Sequence, residues 1–213
     1  KEIEKIKFEV NGKVVELEST ANDSLAVVGM STYSVCPVCG YASETGIPPE
    51  HKDARGFICR NKEGNHKNYR LSHTFKTFVA KLSFFTLDAL DYNTMLSVMY
   101  ALLEGLSREL GIERTDLKGC LHQVLWSGSS RPIFSIVLYD AVAGGAGHVR
   151  RLVTQDAAVF KRVLVKALSI VKNCNCDPSC YQCLRNYYNS QVPDLLARKK
   201  AAAFLHHWQV SWP

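Results

Sequence analysis

The sequence predicts an α+β chain, a mostly antiparallel sheet with packed helices. Three observations predict it. β-rich runs bracket Asn11-Gly12, long stretches repeat apolar residues every three or four positions, and seven of the eight cysteines fall into two clusters, with Cys120 alone. The 213 residues suffice for one large domain, or one domain with a small satellite. A 46% hydrophobic and 22% charged composition is that of an ordinary globular protein. No apolar run reaches the ~18 residues that a membrane crossing needs. The opening "KEIEKIKFEV" lacks the apolar block of a signal peptide and has no initiator Met. A fragment of a larger, non-membrane protein is therefore expected. Net charge is +6, which permits nucleic acid as a partner without requiring it.

Taken in order, "IKFEV" and "VVELE" around Asn11-Gly12 predict a hairpin, and "LAVVGM" a further strand. Residues 36–69 are rich in Gly, Pro, Lys and Asn with little periodicity, so something other than an apolar core must organise them. "FKTFVAKLSF" places Phe78, Ala80, Leu82 and Phe84 on one face of a strand. From Asp91 to Leu110, Met95, Met99, Leu102, Leu106 and Leu110 mark an amphipathic helix. Asp88 or Asp91 can cap its start, and Gly111 ends it. "GCLHQVLW" and "IFSIVLYDA" read as strands joined by "SGSSRP". A helix is expected near His148, after "GGAG". Another is expected from about Asp156 to Val171, with Phe160, Val163, Leu164, Ala167 and Val171 inward. Pro193 suits a first helical turn leading into "DLLARKKAAAFLHH". Three segments are expected: 1–30, a hairpin and strand region; 31–86, a cysteine-knuckle segment and strand; and 87–213, an α+β core. Together they are expected to form one compact unit.

The cysteines carry the chemistry. Cys174, Cys176, Cys180 and Cys183 have the spacing C-x-C-x3-C-x2-C. Thiolates so close in sequence can converge on one ion, and zinc takes four of them tetrahedrally. The alternatives are free thiols or local disulfides, a Cys180–Cys183 redox pair without the βαβ setting that motif needs, and an iron–sulfur cluster. A cage with four protein ligands leaves no place for substrate, so it is structural. Cys36, Cys39 and Cys59 supply three ligands of a second expected zinc site. His66 is expected as the fourth, with His73 and His51 as alternatives. The fold is thus expected to be stapled by one or two zinc sites.

Other residues hold candidate roles. The glycines of "YDAVAGGAGHVRR" either present N–H groups to a phosphate, aided by Arg150 and Arg151, or merely permit a tight turn that Asp140 caps. Asp140 with His122 and His148 would be the centre of a metal-dependent nuclease or hydrolase, the alternative function. Basic residues gather in Lys52–Arg70 and again at Arg185, Arg198, Lys199 and Lys200, beside Tyr187 and Tyr188. Cations with neighbouring aromatics suit weak binding of single-stranded DNA.

Three stretches together resemble a known family. They are "LYDAVAGGAGHVRRL", "CNCDPSCYQCLRNYYNSQVPDLLARKKA", and "CPVCGY" followed by "YRLSHTFKTFVAKLSF". The chain resembles the MrfA-type zinc-binding domain from about Tyr33 to Trp208. That domain is found at the C-terminus of superfamily-two DExH helicases and in the DISARM protein DrmB. The family usually has Pro where this chain has Ala143, and often Asp where it has Phe78. The resemblance implies zinc on Cys174, Cys176, Cys180 and Cys183. It also implies a place beside an ATP-driven DNA motor, in cis or in a partner subunit, in repair or antiviral defence. A cytoplasmic, nucleoid-associated setting follows from that. The chain has no G-x-x-x-x-G-K-[ST] phosphate loop and no Asp-Glu-x-His box, so this fragment is not expected to hydrolyse ATP.

Overall fold

The computed structural model describes residues 3–10, 13–85, 91–125, 127, 132–154 and 157–210. The strands are β1 (Ile3–Val10), β2 (Lys13–Val35), β3 (Ala42–Ser43), β4 (Lys67–Phe85), β5 (Leu117–Val124) and β6 (Ile133–Asp140). The helices are α1 (Tyr92–Leu110), α2 (Ala158–Lys172) and α3 (Arg198–Val210). Along the sheet the order is β1-β2-β4-β6-β5, with β3 paired to β2. The pairs β1–β2, β4–β6 and β5–β6 are antiparallel. The chain divides into two compact units, the first 1–23 with 76–213 and the second 24–75. β2 and β4 contribute residues to both.

In the first unit, Val10 pairs with Lys13, which fixes the register of the first hairpin. The Asn11-Gly12 turn itself lies outside the described residues, as do Asp88, Asp156 and most of the "SGSSRP" turn. Alternation then sorts the side chains. Val15 and Leu17 of β2, with Ala80, Leu82 and Phe84 of β4, are buried in the core. Between them Glu16 and Glu18 pair with Lys5, at 2.8 and 2.7 Å, on the polar face. β2 runs on through Asn22, whose φ is +53°, so the two strands expected from sequence are one.

The three helices share the core with the sheet. Asp91 caps α1, its carboxylate accepting from the Thr94 amide at 2.9 Å, a contact worth ~1 kcal/mol. Gly111 ends α1 at φ +65°, a left-handed cap that glycine adopts without Cβ strain. α1 meets α2 closely at Gly105, where a Cβ would stand 2.9 Å from the Val163 carbonyl oxygen. Phe160, Val163, Leu164, Ala167 and Val171 are buried, as their spacing predicts. Near His148 the chain forms only a 3-10 turn, Val149–Leu152. The last predicted helix is divided. Pro193–Leu195 is a 3-10 turn, Leu196 is extended, and α3 starts afresh at Arg198. Among the described residues, no helix is long and apolar enough to cross a membrane.

Candidate metal centres

The first-unit centre follows directly from the end of α2. Cys174 and Cys176 follow the helix in an irregular segment, and a bend at Asp177 and Pro178 returns the chain at Cys180. There the Cys180 carbonyl accepts from the amides of Cys183, Leu184 and Arg185 at 3.2, 3.1 and 3.0 Å. The four sulfurs close on one another: Cys174–Cys180 and Cys176–Cys183 at 3.5 Å, Cys180–Cys183 at 3.9 Å. A disulfide needs ~2.05 Å. Four thiolates around one zinc at ~2.3 Å would stand ~3.8 Å apart by tetrahedral geometry. The spacing fits the metal cage and excludes the disulfides.

The electrostatics agree. The amide of Cys176 and the neighbouring thiols of Cys176 and Cys180 bring the Cys174 thiol down to about 7. Burial and the adjacent thiols push Cys176 up. Burial likewise raises Cys183. Without a cation the four sulfurs cannot all ionise; a divalent ion resolves that conflict by holding every one as thiolate.

Arg198 bolts the cage to the helices. Its amide donates to the Pro178 carbonyl at 2.8 Å, its Nε to the Cys176 carbonyl at 2.9 Å and its Nη1 to the Val171 carbonyl at 2.8 Å. The guanidinium thus sits on the C-terminal carbonyls of α2, where a cation is favoured. Arg198 was expected as a DNA contact; its donors are turned inward. Sequence spacing carries no signal for this clamp.

The second-unit centre gathers Cys36, Cys39, Cys59 and His51, whose ligand atoms lie within 4.8 Å of one another. The structure seats His51 there, not His66. His66 is exposed, its ring against the Gly64 carbonyl at 3.0 Å. The reason is local: His51 Nδ1 meets the Pro48 carbonyl at 2.9 Å, and its ring packs against Tyr41. That orientation leaves Nε2 buried and turned to the cysteine sulfurs, the placement an imidazole needs to join them on a metal. Cys36 and Cys59 sulfurs are 3.8 Å apart. Asn61 supports both, its amide donating to Cys59 Sγ at 3.4 Å and its Nδ2 to Cys36 Sγ at 3.2 Å. Burial pushes the Cys36 thiol up, but hydrogen bonds from Cys39, Asn61, Val38 and His51 outweigh it and bring it down to about 5. Burial raises Cys39 to about 11, with the Cys59 and Cys36 sulfurs adding to the rise.

The other candidates fall apart on geometry. Asp140 is fully buried. Its carboxylate accepts from the amides of Ala146, Gly147, His148 and Val149 at 2.8, 2.5, 3.1 and 3.1 Å. The N–H groups that a phosphate would need are therefore taken by the protein's own anion. Gly145 lets this turn press on β4: a Cβ would lie 2.5 Å from Phe78 Cδ2. His122 is exposed, and among the described residues Asp140, His122 and His148 form no metal-holding group. The nuclease alternative loses its site.

Of the expected nucleic-acid contacts, Arg150 pairs with Glu4 at 2.5 Å, and Arg151 is exposed. Arg185 Nε donates to Ser179 Oγ at 2.8 Å. Lys199 and Lys200 reach Asp177 and Asp91 at 2.6 and 3.4 Å yet stay in solvent. Tyr187 and Tyr188 are 82% and 65% exposed and meet edge to face.

Residues 98–184 match the family described as the MrfA Zn-binding domain. The chain is 23% identical over 221 aligned residues to the Druantia protein DruE of Escherichia coli, covering 93% of this chain and 12% of that protein. It also overlays on a crystal structure of the helicase MrfA bound to DNA, with a TM-score of 0.54 and 12% identity, over 97% of this chain and 24% of the helicase. The chain thus spans a small part of either relative's length. The matched segment holds all four cysteines of the first centre, which can take zinc.

Proposed function

We propose that the chain is an accessory zinc module of a longer helicase-like or phage-defence protein, holding single-stranded DNA or a neighbouring domain rather than doing chemistry. The observation that carries this is the closed four-cysteine cage. Every ligand position belongs to the protein, so the metal has a structural task. We assign zinc to Cys174, Cys176, Cys180 and Cys183 and, in the second centre, to Cys36, Cys39, His51 and Cys59. The protein similar to this chain over 24% of its length was crystallised bound to DNA, which supports DNA as the partner. A DNA motor in the same chain or in a partner subunit would supply the work, in repair or in defence, inside the cytoplasm and near the nucleoid.

The DNA-facing surface is assigned to Arg150, Arg151, Arg185, Lys199, Lys200, Tyr187 and Tyr188. Fluorescence anisotropy with a short labelled oligonucleotide tests it. Phosphate contacts release counterions, so affinity is expected to fall steeply between ~50 and ~200 mM salt. Replacing Lys199 and Lys200 by Ala flattens that slope. Tyr187→Ala weakens binding by ~1–3 kcal/mol and leaves the slope alone. No binding at the lowest salt would move the function to protein docking.

A further inference from the structure

A cavity of about 520 Å³ opens in the first unit, lined by Tyr100, Arg114, Lys118, Tyr139, Val142 and Tyr188 among others. That size lies within the ~300–1,000 Å³ of small-ligand pockets. Neither metal centre lines it. Arg114 begins the short turn between α1 and β5. Its Nη1 donates to the Leu117 carbonyl at 2.7 Å, but its Nε is buried and has no protein partner. A buried donor on a permanently charged group is costly to leave alone, and such groups are nearly always satisfied. The acidic group acting on Arg114 is Glu104, and its carboxylate pairs with Arg108 at 2.8 Å instead. Arg114 therefore lines the cavity as a guanidinium with no carboxylate paired to it among the described residues, and an anion in the cavity would supply that partner.

The walls say which anion. Burial raises the phenols of Tyr100 and Tyr139 above their ordinary range, so both stay neutral. Tyr188, with most of its ring in solvent, gives a stacking face at the rim. Lys118 adds a second, exposed cation. Cations and an exposed aromatic ring lining one cavity are the pattern for a phosphate joined to a planar base. We propose that this pocket binds a nucleoside phosphate, with the phosphate on Arg114 and Lys118 and the base on Tyr188. The idea rests on the proposed DNA contact only for its partner class, and it names where one nucleotide would be gripped.

Isothermal titration of the zinc-loaded chain with thymidine monophosphate, inorganic phosphate and a short oligo(dT) tests the pocket. Thymidine monophosphate is expected to bind, and inorganic phosphate more weakly. Arg114→Gln should weaken the nucleotide at least about tenfold, as loss of a charge-assisted contact does. Arg114 also holds the Leu117 carbonyl, so Tyr188→Leu and Lys118→Gln, both at exposed positions, provide variants that keep the fold. Each should weaken the nucleotide several-fold. Absence of mononucleotide binding to the wild type, or unchanged affinity in Arg114→Gln and Tyr188→Leu alike, overturns the pocket. Oligo(dT) binding that ignores these variants but falls with Tyr187→Ala would overturn the pocket and leave the DNA surface standing. Mononucleotide binding without oligo(dT) binding would do the reverse.

Discussion

The two units differ most in what lies inside them. Between Ser24 and Phe75 the buried described residues are Ser34, Cys36, His51, Cys59 and Asn61. Three are metal-ligand candidates and a fourth bonds their sulfurs, so the interior of this unit is its cage. Val38, Phe57 and Ile58 are 62%, 67% and 70% exposed there. The first unit instead buries a continuous core of sheet and helix side chains, from Val15 to Trp208, and Cys183 is a member of it. One cage replaces a core; the other is bolted onto one. Metal loss should therefore have different consequences in the two places.

The largest effect is expected in the second unit. Structural zinc contributes on the order of 10 kcal/mol in small zinc-binding peptides, and the described residues of this unit form no apolar core to fall back on. His51→Ala or Cys36→Ser should abolish amide protection over residues 34–61 in hydrogen exchange, while α1 and α2 stay protected. His66→Ala should do nothing. Persistent protection in the His51 variant would break the comparison at its base.

Cys180→Ser comes next. It removes one ligand of a cage that also anchors α2, α3 and the segment between them through Arg198. The loss approaches the ~5–15 kcal/mol stability of a whole domain. Aggregation, or a Tm fall of tens of degrees with zinc lost, is expected. Unchanged melting would show that the apolar core suffices alone.

The reach of the sequence follows the same divide. α1 was legible in full, because its apolar spacing, Asp91 and Gly111 are all local signals. The C-x-C-x3-C-x2-C cage was legible for the same reason: its ligands are too close to serve separate partners. His51 was not, because nearness in sequence favoured His66, whereas the choice is made by the hydrogen bond to Pro48 and the packing on Tyr41. Arg198 read as one of four clustered surface cations; only the folded return of α3 to the end of α2 turns it inward. The break at Leu196 was hidden by a helix-compatible sequence. Asp140 was readable as a cap, but its four amide partners depend on the positive φ values at Gly144, Gly145 and Gly147.

Asp140→Asn probes a polar joint of the cored unit. Removing the charge that four amides share should cost about 2–3 kcal/mol, or roughly 5–10 °C in Tm, with zinc content unchanged. A loss of zinc in this variant would mean that the glycine turn and the cage are one structure.

Glu109 gives the smallest effect. It joins α1 to α2 through Arg162 and Lys166 at 2.6 and 2.8 Å, and these partners hold its carboxyl below the ordinary value. A lowered folded pKa stabilises above the unfolded value of 4.5 and is lost as pH falls through the folded one. Both cations are well exposed, so Glu109→Gln should cost at most ~1 kcal/mol at neutral pH. The difference from wild type should vanish in acid. A larger or pH-independent loss would assign Glu109 a packing role.

The contrast between the units requires one zinc in each, the organising centre of one and a clamp on the core of the other. Elemental analysis of protein purified without added zinc measures it directly. The account predicts two zinc ions per chain. One per chain would leave the unit between Ser24 and Phe75 without its organising centre, and none would contradict both cages.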